Sequence, residues 1–148
     1  MQPSELLLTT ITEPEEGYRQ FPYDDGFGNM TVGYGHLILP NEDYSRDGIS
    51  QPDAMLLLRA DMAKAAAIVN REVKVAMTQG EFDALCDAVF NMGDFLKAST
   101  LLKMLNAGQT GEAEQQLARW DYAGGKPNAA LHARRIKEMA LWTAGNAG

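Results

Sequence analysis

The stretch EEGYRQFPYDDGFGNMTVGYGH, Glu15 to His36, decides the reading of this chain. It opens on two glutamates, passes through two aspartates and a glycine-rich turn, and closes on an alternating run before His36. Turn signals at Asp24-Asp25-Gly26 and Gly28-Asn29, set among aromatic and β-branched residues, predict a small sheet over residues 17–40. Gly17 is placed to end a helix. A glutamate at that helix end and an aspartate in that turn would supply two carboxyls. Glycosidic-bond cleavage commonly uses such a pair, one as acid and the other as base or nucleophile. Glu16 is the favoured first member, because a carboxyl at a helix C-terminus faces the negative end of the dipole, a setting that suits a proton donor. Glu15 lies about 100° away around the helix and is expected to be solvated. Of the aspartates, Asp25 is the favoured second carboxylate and Asp24 a turn residue. On the strand, alternation puts Met30, Val32 and Tyr34 on one face. Thr31 and Gly33 fall on the other, which Gly35 continues. Thr31 then sits where a substrate or water can approach.

Upstream, residues 4–16 predict a first helix that Pro14 kinks or breaks, since proline removes a hydrogen bond and clashes with the preceding turn. Downstream the pattern is helical. Ser50-Gln51-Pro52-Asp53 starts a helix running to about Asn70, with Met55, Leu58, Met62, Ala65 and Val69 on one face. Thr78-Gln79-Gly80-Glu81 is a capping box, followed by Phe82, Leu85, Cys86 and Val89 on a buried face. Leu101, Leu102 and Leu105 mark a short helix, residues 111–119 another, and residues 128–144 a last one after the Gly124-Gly125-Lys126-Pro127 break. The fold class is α+β: a small N-terminal antiparallel sheet, a long joining helix and a mostly helical second lobe, with a cleft between them.

The totals bound the function. The chain has 148 residues, enough for one domain with its own core. Its net charge of −7 argues against binding nucleic acid through phosphates. No apolar stretch reaches membrane-spanning length, so no membrane insertion is expected. The N-terminus has neither a basic start nor a long apolar run, so no signal peptide is expected. Cys86 is the single cysteine and reads as a core thiol. It is too far in sequence from His36 and His132 to suggest zinc, and no metal or cofactor is expected. The segment from Asp43 begins like an EF-hand loop. Its twelfth position is Ala54, and Pro52 lies inside it, which argues against calcium.

The order Glu16, Asp25, Thr31, then Val-Gly-Tyr-Gly-His resembles the phage-type lysozymes of glycoside hydrolase family 24, the family of the T-even phage lysozyme and many lambdoid endolysins. Gly17, Arg19, Tyr23, Gly28, Gly33, Gly35 and His36 fall on the same pattern. GISQPDAMLLLRADM, TQGEFDALCDAVFNMG, STLLKMLNAG and RRIKEMALWTAG extend the likeness over nearly the whole chain, as one lysozyme-like catalytic domain over 1–148. The resemblance implies a muramidase that cleaves the β-1,4 bond between N-acetylmuramic acid and N-acetylglucosamine in peptidoglycan, with inversion. It implies Glu16 as general acid, Asp25 as second carboxylate and Thr31 as the residue that places the attacking water. It implies Arg134 as a partner of Glu16, and His36 with Asp61 as a structural pair. Asn91 lies where the family lines its cleft. The implied partner is the peptidoglycan glycan strand, and the expected state is a monomer. The implied setting is synthesis in a host cytoplasm and action on the wall in the periplasm after release.

Other readings stand beside these. Tyr23 and Phe27 are candidates to stack on sugar, while Tyr18, Phe21 and Tyr34 are expected in the core. Arg134, Arg135 and Lys137 read as a solvated helix face from which one arginine reaches Glu16. The rival from another class is a catalytically weak module of the same fold that binds peptidoglycan or a protein. Pro14 and the acidic charge are the features that favour it.

Overall fold

The computed structural model describes residues 1–145. The chain begins with a helical segment made of α1 (Glu5–Leu7), a π-helical turn (Leu8–Thr12) and α2 (Glu13–Glu16). Pro14 does not break it. The Glu13 N–H donates to the Leu8 carbonyl five residues back, and this wider turn precedes the proline. In a regular α-helix the proline ring would press on the carbonyl of Thr10; the wider π turn just before it eases that clash. The segment therefore continues to Glu16 and ends at Gly17, whose φ of +67° an L side chain rarely adopts. Leu7, Leu8 and Ile11 face the core, and Ser4 and the exposed Glu5 tie the segment to Asp83 and Arg59.

The sheet forms where the turn signals place it. Strands β1 (Arg19–Asp24), β2 (Met30–Gly33) and β3 (His36–Leu37) pair antiparallel in that order, with Tyr23 opposite Thr31 and Thr31 opposite Leu37. An irregularity between Arg19 and Tyr23 interrupts the first pairing. The simple alternation of β2 does not hold. Met30 is exposed, whereas Thr31, Val32 and Gly33 are all buried, and Tyr34-Gly35 is a turn rather than a continuation of the strand. The reason is that α3 packs on the far side of β2, so both faces of this short strand are covered. The aromatic residues also depart from expectation: Tyr34 is in the core, but Tyr18 and Phe21 are exposed. A three-stranded sheet this short has too little inner face to hide them.

Helix α3 (Gln51–Glu72) packs against β2 and β3 at its start and against α4 (Gln79–Met92) further on, and so joins the two lobes. Its cap is Ser50, whose hydroxyl accepts from the Asp53 N–H, and the apolar stripe that becomes buried is Ala54, Leu58, Met62, Ala65, Ala66 and Val69. Helix α4 carries the full Thr78–Glu81 capping box. Helices α5 (Thr100–Asn106) and α6 (Thr110–Leu117) pack on each other, and α7 (Ala129–Ala144) lies along α4 and touches α6. Gly124 and Gly125 do more than break the chain: they turn a small hairpin of β4 (Tyr122–Ala123) and β5 (Lys126–Pro127), which the sequence reading did not contain. Cys86 is fully buried, and burial pushes its thiol up.

Candidate active site

Between the lobes lies a cleft of about 270 Å³. Glu16 enters it from the end of α2, Asp25 and Phe27 from the β1–β2 turn, and Tyr23 and Thr31 from the paired strands. Asn91 and Arg134 close the helical side. These seven residues are 118 positions apart at the extremes (134 − 16), and the fold brings them to one wall-to-wall space. Gly35 and Phe90 complete the lining.

Gly35 is where the two lobes touch across the site. A Cβ there would lie 2.3 Å from Glu16 Oε2 and 2.9 Å from its Cδ, and the φ of +69° is one an L side chain rarely adopts. The Tyr34-Gly35 turn can pass over the Glu16 carboxyl only because Gly35 bears no side chain. The other oxygen, Oε1, accepts from Arg134 Nη1 at 2.7 Å. Among the described residues Oε2 makes no hydrogen bond and is the free oxygen.

Arg134 is itself held. Its Nε and Nη2 donate to the two oxygens of Asp87, both at 2.9 Å, and the Thr12 hydroxyl donates to Asp87 Oδ1 at 2.8 Å. Burial pushes the Asp87 carboxyl up, but the Arg134 charge and these hydrogen bonds outweigh it and hold the group at about 2. Burial lowers Arg134, and the charge of Asp87 more than offsets it, so the guanidinium stays ionised. Arg135 is also buried, against Glu138 one turn along α7, with Nε 2.8 Å from Oε1 and Nη2 donating to Oε2 at 2.9 Å. The first of these is a charge contact whose N–H is poorly aligned, since neither atom gains a hydrogen bond from it. Burial, then the neighbouring Asp87, pushes the Glu138 carboxyl up. Arg134 and Arg135 are therefore not on a solvated face. Only Lys137 remains half-exposed, and it bonds Glu15 at 2.5 Å. Glu15 is correspondingly ion-paired rather than free in solvent.

Asp25 is built differently. It is exposed, and Oδ1 accepts from the Phe27 and Asn29 N–H groups at 2.8 and 3.2 Å while Oδ2 accepts from Asn29 Nδ2 at 3.1 Å. The Phe27 N–H is the main cause that holds the Asp25 carboxyl below its ordinary range. Asp24 makes the same kind of turn bonds, to Gly26 and Gly28. It does not line the cleft. The Thr31 hydroxyl has one long contact, to the Tyr23 carbonyl at 3.4 Å.

The geometry pairs a carboxyl clamped by a buried guanidinium with a carboxylate kept ionised by turn amides, across one cleft. Residues 13–138 match the family model described as Phage lysozyme. This chain belongs to the phage lysozyme family. The lysozyme is 39% identical over 132 residues to an endolysin of Acyrthosiphon pisum secondary endosymbiont phage 1, covering 86% of this chain and 88% of that protein. It is 38% identical to the SAR-endolysin of Escherichia phage Mu, with 86% and 73% covered. Among solved structures, an endolysin from Escherichia coli O157:H7 phage FAHEc1 superposes with a TM-score of 0.84 at 32% identity over 96% of this chain and 93% of that one. The muramidase domain of SpmX from Asticaccaulis excentricus gives 0.81 at 30%, over 95% and 97%. The lysozyme is thus a hydrolase of the bacterial cell wall with the two-lobed α+β fold of its relatives.

His36 and Asp61 are brought together at 2.8 Å, outside this cleft, where β3 meets α3. Sequence reading missed the third member: Glu42, which accepts from His36 Nε2 at 2.9 Å, from the Leu39 N–H and from the Tyr44 hydroxyl. It also missed Asp87. The available signal was FDALCD, where Asp83 and Asp87 stand four apart on a helix face otherwise made of apolar residues. Charge on such a face calls for a buried partner.

Proposed function

We propose that this lysozyme is a muramidase in which Glu16 donates a proton to the glycosidic oxygen and Asp25 serves as the base for an attacking water. What supports the assignment is the asymmetry of the two carboxyls facing one cleft. Asp25, with three hydrogen bonds accepted and its affinity for protons lowered, is suited to remain ionised. Glu16 keeps one oxygen free beside Gly35, where a proton can sit and be delivered. Arg134 fixes the direction of that carboxyl. Thr31, with its hydroxyl almost uncommitted, is placed to orient water against the anomeric carbon, and Tyr23 and Phe27 offer ring faces to sugar. Water attack opposite the leaving oxygen gives inversion. The chain acts as one catalytic unit and as a monomer on peptidoglycan glycan strands.

No helix among the described residues is long and apolar enough to cross a membrane. The biological reading is that of an endolysin made in the host cytoplasm and acting on the wall in the periplasm after release by another agent. The test is turbidity loss of outer-membrane-permeabilised Gram-negative cells. Wild type should lyse them and Glu16→Gln should lose at least a hundredfold in rate, within the usual range for general-acid removal of about 10²–10⁴. Lysis by both proteins at one rate would remove Glu16 from the mechanism. An α-anomeric product, followed by NMR before mutarotation, would report inversion, and a β product would reject it.

A further inference from the structure

The two arginines that begin the buried part of α7 do parallel things in different directions. Consecutive helical residues point about 100° apart, so they cannot share a target. Each is backed by a buried carboxyl, Arg134 by Asp87 and Arg135 by Glu138, and each sends one remaining N–H toward the cleft. Arg134 Nη1 meets Glu16; Arg135 Nη2 meets Asn91 Oδ1 at 2.7 Å. Glu16 and Asn91 both line the cleft. A pair buried as fully as Arg135 and Glu138, both 0% exposed, is costly, and apolar residues of similar size would commonly serve stability as well.

The consequence is for the Asn91 amide. A guanidinium only donates, so the atom that faces it must be the oxygen. The Asn91 NH₂ is left as the other end of the amide, and it makes no hydrogen bond to the described chain. We infer that Arg135, held by Glu138, is a positioning residue that locks Asn91 so that the cleft receives a fixed hydrogen-bond donor, and that this donor selects the acetamido carbonyl of an N-acetylated amino sugar. Among the groups on such a glycan, hydroxyls adapt to either partner, whereas the acetamido carbonyl only accepts. A locked donor therefore discriminates by acetylation. This inference rests on the muramidase reading for its substrate, but not for its geometry.

Two variants test it. Asn91→Asp keeps an acceptor for Arg135 and removes the donor. The double variant Arg135→Met with Glu138→Leu removes the buried pair together, so that no charge is left alone. Thermal melts establish that both fold. Each should raise KM for N-acetylated peptidoglycan about five- to tenfold, the worth of one hydrogen bond, with kcat little changed. Each should also shrink the preference of wild type for acetylated over de-N-acetylated substrate. Adding Asn91→Asp to the double variant should cost nothing more. A purely structural role for Arg135 would lower the melting temperature without moving KM or the acetylation preference. That result, or wild-type KM in Asn91→Asp, would overturn the inference. Binding of an N-acetylglucosamine oligomer to Glu16→Gln, with and without Asn91→Asp, reads the same donor without turnover. Weakened binding in a protein whose wild type does not lyse cells would reject the muramidase reading and keep the positioning; unchanged binding in a protein whose wild type does lyse them would do the reverse.

Discussion

On the helical side of the cleft, Glu16 is steadied by Arg134, which is anchored on Asp87 and through it on Thr12. On the sheet side, the strand that follows the Gly35 turn is steadied by His36, which lies between Asp61 and Glu42. Both clusters put one cation between two carboxyls, and both cations are buried. They differ in the cation. Arginine keeps its charge at every working pH, whereas histidine loses it near neutrality. The fold has a permanent clamp on Glu16, the carboxyl we propose as proton donor, and a titratable one where the sheet meets the joining helix.

Breaking the permanent clamp should have the largest effect. Asp87→Asn leaves Arg134 buried without its counter-charge, which costs about 3–5 kcal/mol. Urea unfolding at pH 7 measures this. The carboxyl at about 2 also contributes stability that is present above its ordinary 3.8 and lost as pH falls toward 2. The variant should lack that acid limb. A loss of under about 1 kcal/mol would mean that the helical clamp is no stronger than a surface pair.

The titratable clamp should yield a smaller, pH-dependent effect. Burial lowers the proton affinity of His36, but hydrogen bonds to Asp61 and Glu42 outweigh it, and the net shift from 6.5 is upward. The stabilisation is therefore complete below 6.5 and lost as pH rises through the folded value. A neutral ring can donate to only one of its two carboxylates. Glu42 is shifted the other way, downward from 4.5, so its share is present above 4.5 and lost as pH falls through its folded value. His36→Gln should cost about 1–2 kcal/mol at pH 6 and less at pH 9, by unfolding at the two pH values. Equal costs at both would show that the ring acts by packing and not by charge.

The contrast also separates what the sequence shows from what it hides. The sheet, the joining helix and its Ser50 cap, the Thr78 capping box and the glycine after Glu16 all rest on signals within four residues, and the structure contains them. Glu16, Asp25 and Thr31 were legible as candidates because the motif fixes their spacing, and Asn91 because its segment resembles the one that lines the family's cleft. Their common cleft was not legible, because it depends on how α2, the β1–β2 turn and α7 come together. Pro14 misled: local chemistry forbids it inside an α-helix, and the π turn that admits it leaves no mark in a three-residue window. Arg134 and Arg135 misled for the opposite reason. Basic residues clustered on a helix are the usual mark of a solvated face, and only the packing of α7 on α4 buries these two.

Thr12→Val probes the far end of the permanent clamp. It removes one neutral hydrogen bond to Asp87, whose Oδ1 still accepts from Arg134 Nη2. The expected cost is about 1 kcal/mol, seen as a shift in the urea midpoint with unchanged slope. A cost approaching that of Asp87→Asn would mean that the hydroxyl, and not the guanidinium, sets the position of the carboxylate.

The smallest effect belongs to a pair that looks the same on paper. Glu15 and Glu16 are adjacent, and each receives a cation from α7: Lys137 at 2.5 Å and Arg134 at 2.7 Å. The distances do not distinguish them. Burial does, since the Lys137 side chain is 49% exposed and that of Arg134 is 6% exposed. A half-exposed ion pair gains little Coulomb energy in water, is screened by salt and gives up side-chain entropy. Lys137→Ala should therefore change stability by less than about 0.5 kcal/mol and leave lysis at the wild-type rate. Raising the salt concentration should erase even that difference, while the Asp87→Asn cost should persist. If Lys137→Ala proved as damaging as Asp87→Asn, proximity to Glu16 rather than burial would be what makes a cation on α7 matter.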